Sequence, residues 1–125
     1  MRLAIQYPNG YYERVEAAPK TIIDYETASG KCPIREWLDE LDGAVTARIE
    51  SRLKRVAFGN SGDVKSVGRG VSELRLTFGS GYRVYFGQHG DEIIVLLCGG
   101  DKGSQTDDIE TAKSYWADFK RRNSV

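Results

Sequence analysis

The stretch ELRLTFGSGYRVYF, residues 73–86, decides the fold that the sequence predicts. Apolar and polar residues alternate through both of its halves, on either side of a Gly-Ser-Gly segment. A period of two is typical of strands that bury one face, so the stretch predicts an antiparallel hairpin. A three-residue loop at 79–81 gathers the apolar side chains of both strands on one face and pairs Leu74 with Phe86.

The other face of this hairpin carries two arginines. In the same register Arg75 lies opposite Tyr85, and Arg75 and Arg83 become diagonal neighbours about 7–8 Å apart. Glu73 is the nearby carboxylate, and planar guanidinium groups suit the paired hydrogen bonds that a phosphate accepts. We therefore expect an anion-binding face without a packing role. The alternative is that these arginines only solvate an exposed sheet.

Three further cations are candidates for the same face. Lys65 and Arg69 lie upstream in GDVKSVGRG, where glycines let the backbone approach a ligand closely. Lys102 lies in the glycine-rich loop after the last apolar run. Residues 48–83 hold eight Lys and Arg against three Asp and Glu, a net charge of +5, although the whole chain has 18 of each. An anionic partner responds to such a local surface and not to the total charge.

Helices and further strands surround the hairpin. Residues 21–26 are predicted to be a short strand, and apolar residues at helical spacing predict two helices joined at Asp42-Gly43 and a third beginning near Asp107. Residues 93–98 are apolar at every position, as in a strand covered on both faces. The order predicts an α+β domain: a small antiparallel β-sheet with an N-terminal helical hairpin and a C-terminal helix, the helices packing on one face.

The chain of 125 residues is predicted to form one domain over residues 21–125, preceded by an extension over residues 1–20. In that extension an Asn9-Gly10 pair separates two short alternating runs, which favours a β-hairpin. A frayed arm is the alternative.

Composition excludes several classes of protein. No apolar run is long enough for a signal peptide or a membrane helix, and one histidine with two separated cysteines offers no metal-binding spacing. Two cysteines are too few for a disulfide scaffold. We expect a cytoplasmic protein without a metal, a cofactor or a membrane partner.

The ordered blocks GDVK, ELR, GYRVYF and GGDK resemble the HigB-like "addiction module killer protein" branch of the RelE/ParE toxin superfamily, over residues 21–119. The resemblance implies a RelE-like fold and a bacterial type II toxin that a cognate, often DNA-binding antitoxin silences. RelE- and HigB-like members are endoribonucleases that cut mRNA on the ribosome. ParE-like members inhibit DNA gyrase without catalysis, and this is the alternative function. A non-toxic RNA-binding module is a third interpretation.

The resemblance also implies roles for individual residues. Arg83 matches the phosphate-contacting arginine of RelE, Arg75 matches basic positions of the preceding strand, and Lys102 matches a basic residue of the following loop. RelE has a tyrosine after that loop where this chain has Asp107-Asp108, and we assign Asp108 as the general base. Arg75, Arg83, Lys102 and Asp108 are thus the predicted catalytic residues. Lys65, Arg69 and Tyr85 are the predicted RNA-binding residues, and no metal ligand is predicted.

Overall fold

A five-stranded sheet forms the centre of this α+β protein. In the computed structural model, the described residues are 2–6, 12–16, 19–60 and 62–124, with side chains described from residue 19 onward. They form seven strands and three α-helices. The elements are β1 (Arg2–Gln6), β2 (Tyr12–Glu16), β3 (Thr21–Asp24), α1 (Pro33–Asp39), α2 (Gly43–Ala57), β4 (Val64–Gly68), β5 (Val71–Arg75), β6 (Arg83–His89), β7 (Ile93–Gly100) and α3 (Gln105–Arg122).

The strand order in the central sheet is β3-β7-β6-β5-β4. Strands β4, β5, β6 and β7 pair antiparallel with one another in that order. Strand β3 pairs parallel to β7, with Ile22 opposite Ile94. The prediction of an antiparallel sheet is therefore wrong for β3. Two helices and three strands lie between β3 and β7 in the chain. A connection of that length allows the two strands to pair either parallel or antiparallel.

The β5–β6 hairpin is shifted by two residues from the predicted register. Leu74 lies opposite Val84 and not Phe86, and Arg75 lies directly opposite Arg83. A shift of two keeps every side chain on its predicted face, because the side-chain period of a strand is two. The alternation of apolar residues therefore predicts the faces correctly but does not distinguish these two registers.

The connection of this hairpin accounts for the shift. The backbone N–H of Leu76 donates to the carbonyl oxygen of Tyr82 at 2.9 Å, so the pairing continues beyond β5 and the connection spans residues 77–81. Gly79 and Gly81 have φ angles of 61° and 78°. Glycine adopts this left-handed conformation without steric cost, which lets the wider turn close.

Helices cover both faces of the sheet, so the expectation that they pack on one face is wrong. The core under α1 and α2 contains Ile34, Leu38, Ile49, Leu53, Val56, Leu74, Leu76, Val84, Phe86, Ile94 and Leu96. The core under α3 contains Tyr25, Val71, Tyr85, Val95, Leu97, Cys98, Ala112 and Trp116. Both cores contain residues of β7, such as Ile94 in the first and Val95 in the second. This confirms the prediction that residues 93–98 form a strand covered on both faces.

Local signals set the helix starts. Pro33 occupies the first turn of α1, where its missing N–H costs no hydrogen bond. The Asp42 side chain caps α2 by accepting from the backbone N–H of Ala44 at 2.8 Å. Helix α3 begins at Gln105, two residues before the predicted start, with Ser104 as its N-cap.

The last turn of α3 is attached to the segment after β3 by a polar contact. The Tyr25 hydroxyl donates to Oδ2 of Asp118 at 2.6 Å, and the Arg122 guanidinium donates to the same oxygen at 2.9 Å. The Arg122 and Tyr25 hydrogen bonds hold the pKa of Asp118 down, to about 2. The contact stabilises the packing of the helix end while this carboxyl is ionised.

Strands β1 and β2 form a separate two-stranded antiparallel sheet, with Gln6 opposite Tyr12. The predicted Asn9-Gly10 turn lies outside the described residues. Among the helices that are described, none combines the length and apolar character needed to cross a membrane.

Candidate functional site

Two rows of side chains cross the α3 face of the sheet where β5 ends and β6 begins. One row pairs Lys65 on β4 with Glu73 on β5, and Glu73 with Tyr85 on β6. The next row pairs Arg75 with Arg83. Directly opposed residues have Cβ atoms about 4.5–5.5 Å apart, closer than the diagonal arrangement that was predicted. The register thus brings the two arginines together more tightly than the sequence indicated.

Glu73 is the centre of this arrangement and has no exposed surface. Its described polar neighbours are all hydrogen-bond donors or cations. The Glu73 cluster, as we name it, consists of Glu73 with Lys65, Arg75, Arg83, Tyr85 and Gln105. A carboxylate is an acceptor only, so its chemistry matches a site at which every neighbour donates.

The contacts of Glu73 are of two kinds. Its Oε2 accepts hydrogen bonds from the Tyr85 hydroxyl at 3.0 Å and from the Gln105 amide at 2.9 Å. Its contacts with cations are longer, at 3.6 Å from Oε1 to Nε of Arg75 and 3.7 Å from Oε2 to Nε of Arg83. Tyr85 and Gln105 therefore hold the carboxylate in place, and the carboxylate attracts the arginines without saturating them.

The arginine side chains retain hydrogen-bonding capacity. Nη1 of Arg83 donates to the Gly81 carbonyl oxygen at 3.1 Å. The Nε atoms of Arg75 and Arg83 and Oε1 of Glu73 are buried and have no hydrogen-bond partner among the described residues. These buried atoms lie in the ion pairs between Glu73 and the two arginines and are not themselves open to a ligand; the accessible part of the site is the Arg75 side chain, which is 38% exposed.

Arg83 is 9% exposed, which corrects the expectation that the arginine face has no packing role. Burial of its neighbour Tyr85 is complete, and that burial, followed by the hydrogen bond to Glu73, raises the pKa of the Tyr85 hydroxyl. The buried ring has no surface on which a base can stack, so the structure offers no direct contact for the predicted binding of RNA by Tyr85. Its role is to orient Glu73.

A shallow pocket of about 190 Å³ opens between the arginines and the β5–β6 connection. Its lining consists of Asp63, Arg75, Leu76, Thr77, Gly81, Tyr82 and Arg83. Asp63 approaches Arg75 to 3.8 Å and reduces the local positive charge. The lining holds two arginines and one aspartate, so the pocket itself keeps a net charge of +1, as an anionic ligand requires.

Lys102 and Asp108 lie at the same end of the sheet. A Cβ atom built on Gly81 would lie 3.5 Å from Cβ of Lys102 and 3.7 Å from Nη1 of Arg83. Gly100 lies opposite Arg83, and a Cβ atom there would meet Oδ2 of Asp108 at 1.9 Å. The missing side chain of Gly100 therefore lets the Asp108 carboxylate approach the sheet beside Arg83.

Arg69 does not join the other cations. It occupies the β4–β5 turn with a φ angle of 53°, six residues before Arg75. Strand β5 lies between the two positions, and its four steps from Val71 to Arg75 at about 3.3 Å each span roughly 13 Å. The predicted RNA-binding residue Arg69 thus lies at the opposite end of β5, beside Gly68, on which a Cβ atom would lie 3.6 Å from Nζ of Lys113 in α3.

Sequence reasoning treated Glu73 only as a nearby charge and missed Gln105. The signal for Glu73 was present, since an acidic residue with a lysine and two arginines around it on one strand face predicts an ion-pair network. No local pattern indicated Gln105, because its contact with Glu73 joins residues 32 positions apart.

The fold and site define a class: an α+β protein with a net-positive pocket at one end of a helix-covered sheet. No known family model matches the chain. Over 78 residues the chain is 49% identical to an uncharacterised protein of Haemophilus influenzae strain Rd, an alignment that spans 62% of this chain and 79% of that protein. The chain belongs to the same family as this Haemophilus protein.

Proposed function

We propose that this protein is the toxin of a type II toxin–antitoxin system and a HigB-like endoribonuclease of the RelE/ParE superfamily. The observation that carries the proposal is the direct pairing of Arg75 with Arg83 beside a pocket that both residues line. Two adjacent guanidinium groups suit the phosphate of an RNA strand, which carries one negative charge and gains a second as the 2′-oxygen attacks. The element order, a helical hairpin followed by four strands and a C-terminal helix, supports the RelE-like part of the proposal.

The proposed reaction is an in-line attack within the RNA. The 2′-hydroxyl of one nucleotide attacks the adjacent phosphorus, the bond from phosphorus to the 5′-oxygen breaks, and a 2′,3′-cyclic phosphate remains. The need for a 2′-hydroxyl restricts the substrate to RNA. Arg75 and Arg83 would stabilise the charge that develops on the phosphate oxygens in the transition state, which is the largest contribution in many enzymes.

Two proton transfers complete the proposed chemistry. Asp108 is the proposed base for the 2′-hydroxyl proton; the Ser104 hydroxyl donates to its Oδ2 at 2.5 Å, and a carboxylate keeps further lone pairs for another proton. Lys102, beside Arg83, or Lys65 would assist the departing 5′-oxygen. Such acid–base assistance contributes about 10²–10⁴ in rate.

The proposed partners follow from the same assignment. The substrate is mRNA held on the ribosome in the cytoplasm, and a cognate antitoxin, itself DNA-binding, silences the toxin. The basic surface supports a polyanionic target, since the net charge of +5 in residues 48–83 falls on α2 and on strands β4 to β6.

Growth inhibition in a bacterial host without the antitoxin tests the proposal. Because Arg83 is buried, Arg75→Ala is the safer variant, with Arg83→Lys beside it to keep the charge but lose the planar group. Each should reduce mRNA cleavage by about 10²–10³ and still bind the antitoxin. Arg121→Ala, at an exposed arginine in the last turn of α3, is the control and should remain toxic.

Unchanged toxicity of Arg75→Ala and Arg83→Lys would refute the assignment of the site. DNA damage and filamentation, with intact mRNA, would instead favour the ParE-like gyrase inhibitor. A wild-type protein that has no effect on growth would refute the toxin proposal itself.

A further inference from the structure

A second and larger groove lies on the other side of the β5–β6 connection. It has a volume of about 440 Å³. Its walls are α2, which contributes Ala47, Arg48, Ser51, Arg52 and Arg55, and the chain after β5, which contributes Leu76, Thr77 and Phe78. The arginines recur at positions i, i+4 and i+7 of the helix, so they lie along one face over roughly 10 Å.

This groove adjoins the pocket of the two arginines. Leu76 and Thr77 line both, so the groove and the pocket lie on either side of this short segment of chain after β5. The one acidic residue in the helix segment 48–55 is Glu50, and Arg35 approaches it to 3.5 Å. We name the combined surface the cationic track; it consists of the groove and the pocket that share these two residues.

Arg48 adds a feature that a plain charged surface lacks. Its guanidinium carbon lies 3.8 Å from the centre of the Phe78 ring. This cation–π contact holds the guanidinium group over one face of the ring while the residue remains exposed. Arginine planes held in this way are surfaces on which unpaired RNA bases stack.

We infer that the cationic track binds the single-stranded RNA that flanks the phosphate held by Arg75 and Arg83. The inference rests on the proposed function and extends it from the reacting nucleotide to its neighbours. The length of the track exceeds one phosphate, and Arg48 offers base stacking, which an acidic protein segment would not use. The track therefore favours a strand of several nucleotides over a single one.

Binding of uncleavable RNA by the purified protein tests this inference. The probes are 2′-O-methyl oligonucleotides of roughly four and roughly 16 nucleotides, lengths that bracket the site sizes of single-strand-binding proteins. The variant is Arg55→Glu, and the matched control is Lys54→Glu, which changes the charge equally on the neighbouring residue of α2 that does not line the groove. Fluorescence anisotropy over a salt series gives Kd and its salt dependence.

The expected result depends on the length of the probe. Arg55→Glu should weaken binding of the longer probe about ten-fold and lower the slope of log K against log salt by about 0.7 for each phosphate that the variant no longer neutralises. It should change binding of the shorter probe less than about two-fold, and Lys54→Glu should have little effect on either. Arg48→Lys should weaken binding of the longer probe by about five-fold and leave the slope of log K against log salt unchanged, because the substitution removes stacking and keeps the charge.

Equal weakening by Arg55→Glu and Lys54→Glu would overturn the inference, as would a wild-type protein that binds both probes alike. Loss of antitoxin binding in Arg55→Glu with RNA binding intact would assign the groove to the antitoxin and also overturn the inference. These outcomes are separate from failure of the proposed function, which is measured as growth inhibition and mRNA cleavage in cells. If the protein binds the long probe as expected but is not toxic, the inference about the cationic track stands and the proposed nuclease function is refuted.

Discussion

Replacement of Glu73 by glutamine is expected to destabilise the protein by about 3 kcal/mol. The amide has nearly the shape of the carboxylate, so packing is preserved and the change is chemical. The amide oxygen still accepts from Tyr85 and Gln105, which donate to Oε2 at 3.0 and 2.9 Å. The amide nitrogen replaces Oε1 and faces Lys65 and Arg75, where a donor finds no acceptor.

The magnitude follows from burial. Removing one partner of a fully buried ion pair costs about 3–5 kcal/mol, because the other charge stays buried and unpaired. In Glu73→Gln this charge is that of Arg83, whose side chain is only 10% exposed. Arg75 and Lys65 are 38% and 48% exposed, so water compensates for much of their loss, and the lower end of the range applies.

Equilibrium urea unfolding measures the effect as a shift in midpoint at constant slope. The control is Glu110→Gln, the same chemical change at a glutamate whose side chain is 75% exposed and lies 3.6 Å from Lys113. That surface pair contributes about 0–1 kcal/mol. A loss below about 1 kcal/mol for Glu73→Gln, similar to the control, would refute the view that the carboxylate is the counter-ion of the site.

Two further predictions concern the packing of α3. Gly87→Ala should destabilise the protein by about 1–3 kcal/mol, because the new Cβ atom would lie 2.5 Å from the ring of Trp116, which is 4% exposed. The control is Gly43→Ala, which has open space around the new methyl group and should leave the urea midpoint unchanged. Asp118 should stabilise the fold above pH 4 and lose this contribution as the pH falls towards 2, because hydrogen bonds from its arginine and tyrosine partners lower its pKa to about 2. In Asp118→Asn the curve of urea midpoint against pH should be flatter over this range. A curve identical to that of the wild type would contradict the reasoning.

Much of the fold could be predicted because the signals are local. Apolar residues at helical spacing predicted α1 and α2, and the predicted junction at Asp42-Gly43 is where α2 begins. The fully apolar segment 93–98 predicted a strand with two covered faces. The same observation contradicted the expectation that all helices pack on one face, because a strand that is apolar on both sides needs a layer on each.

The site was predicted in part for the same reason. Alternation placed Arg75 and Arg83 on one face, and this holds in the structure. Their direct pairing, the burial of Tyr85 and the separation of Arg69 from the cluster were not predictable from alternation. They depend on a register that differs from the predicted one by two residues and on which end of the sheet α3 covers.

The sequence by itself determined which side chains share a face, since the periods of strands and helices are properties of the local backbone. It also determined that positive charge concentrates in residues 48–83. The tertiary structure decided how that charge is used. It buried Glu73 among donors, set the two arginines side by side and joined the α2 groove to their pocket, because these contacts connect residues distant in the chain and depend on the packing of the whole sheet.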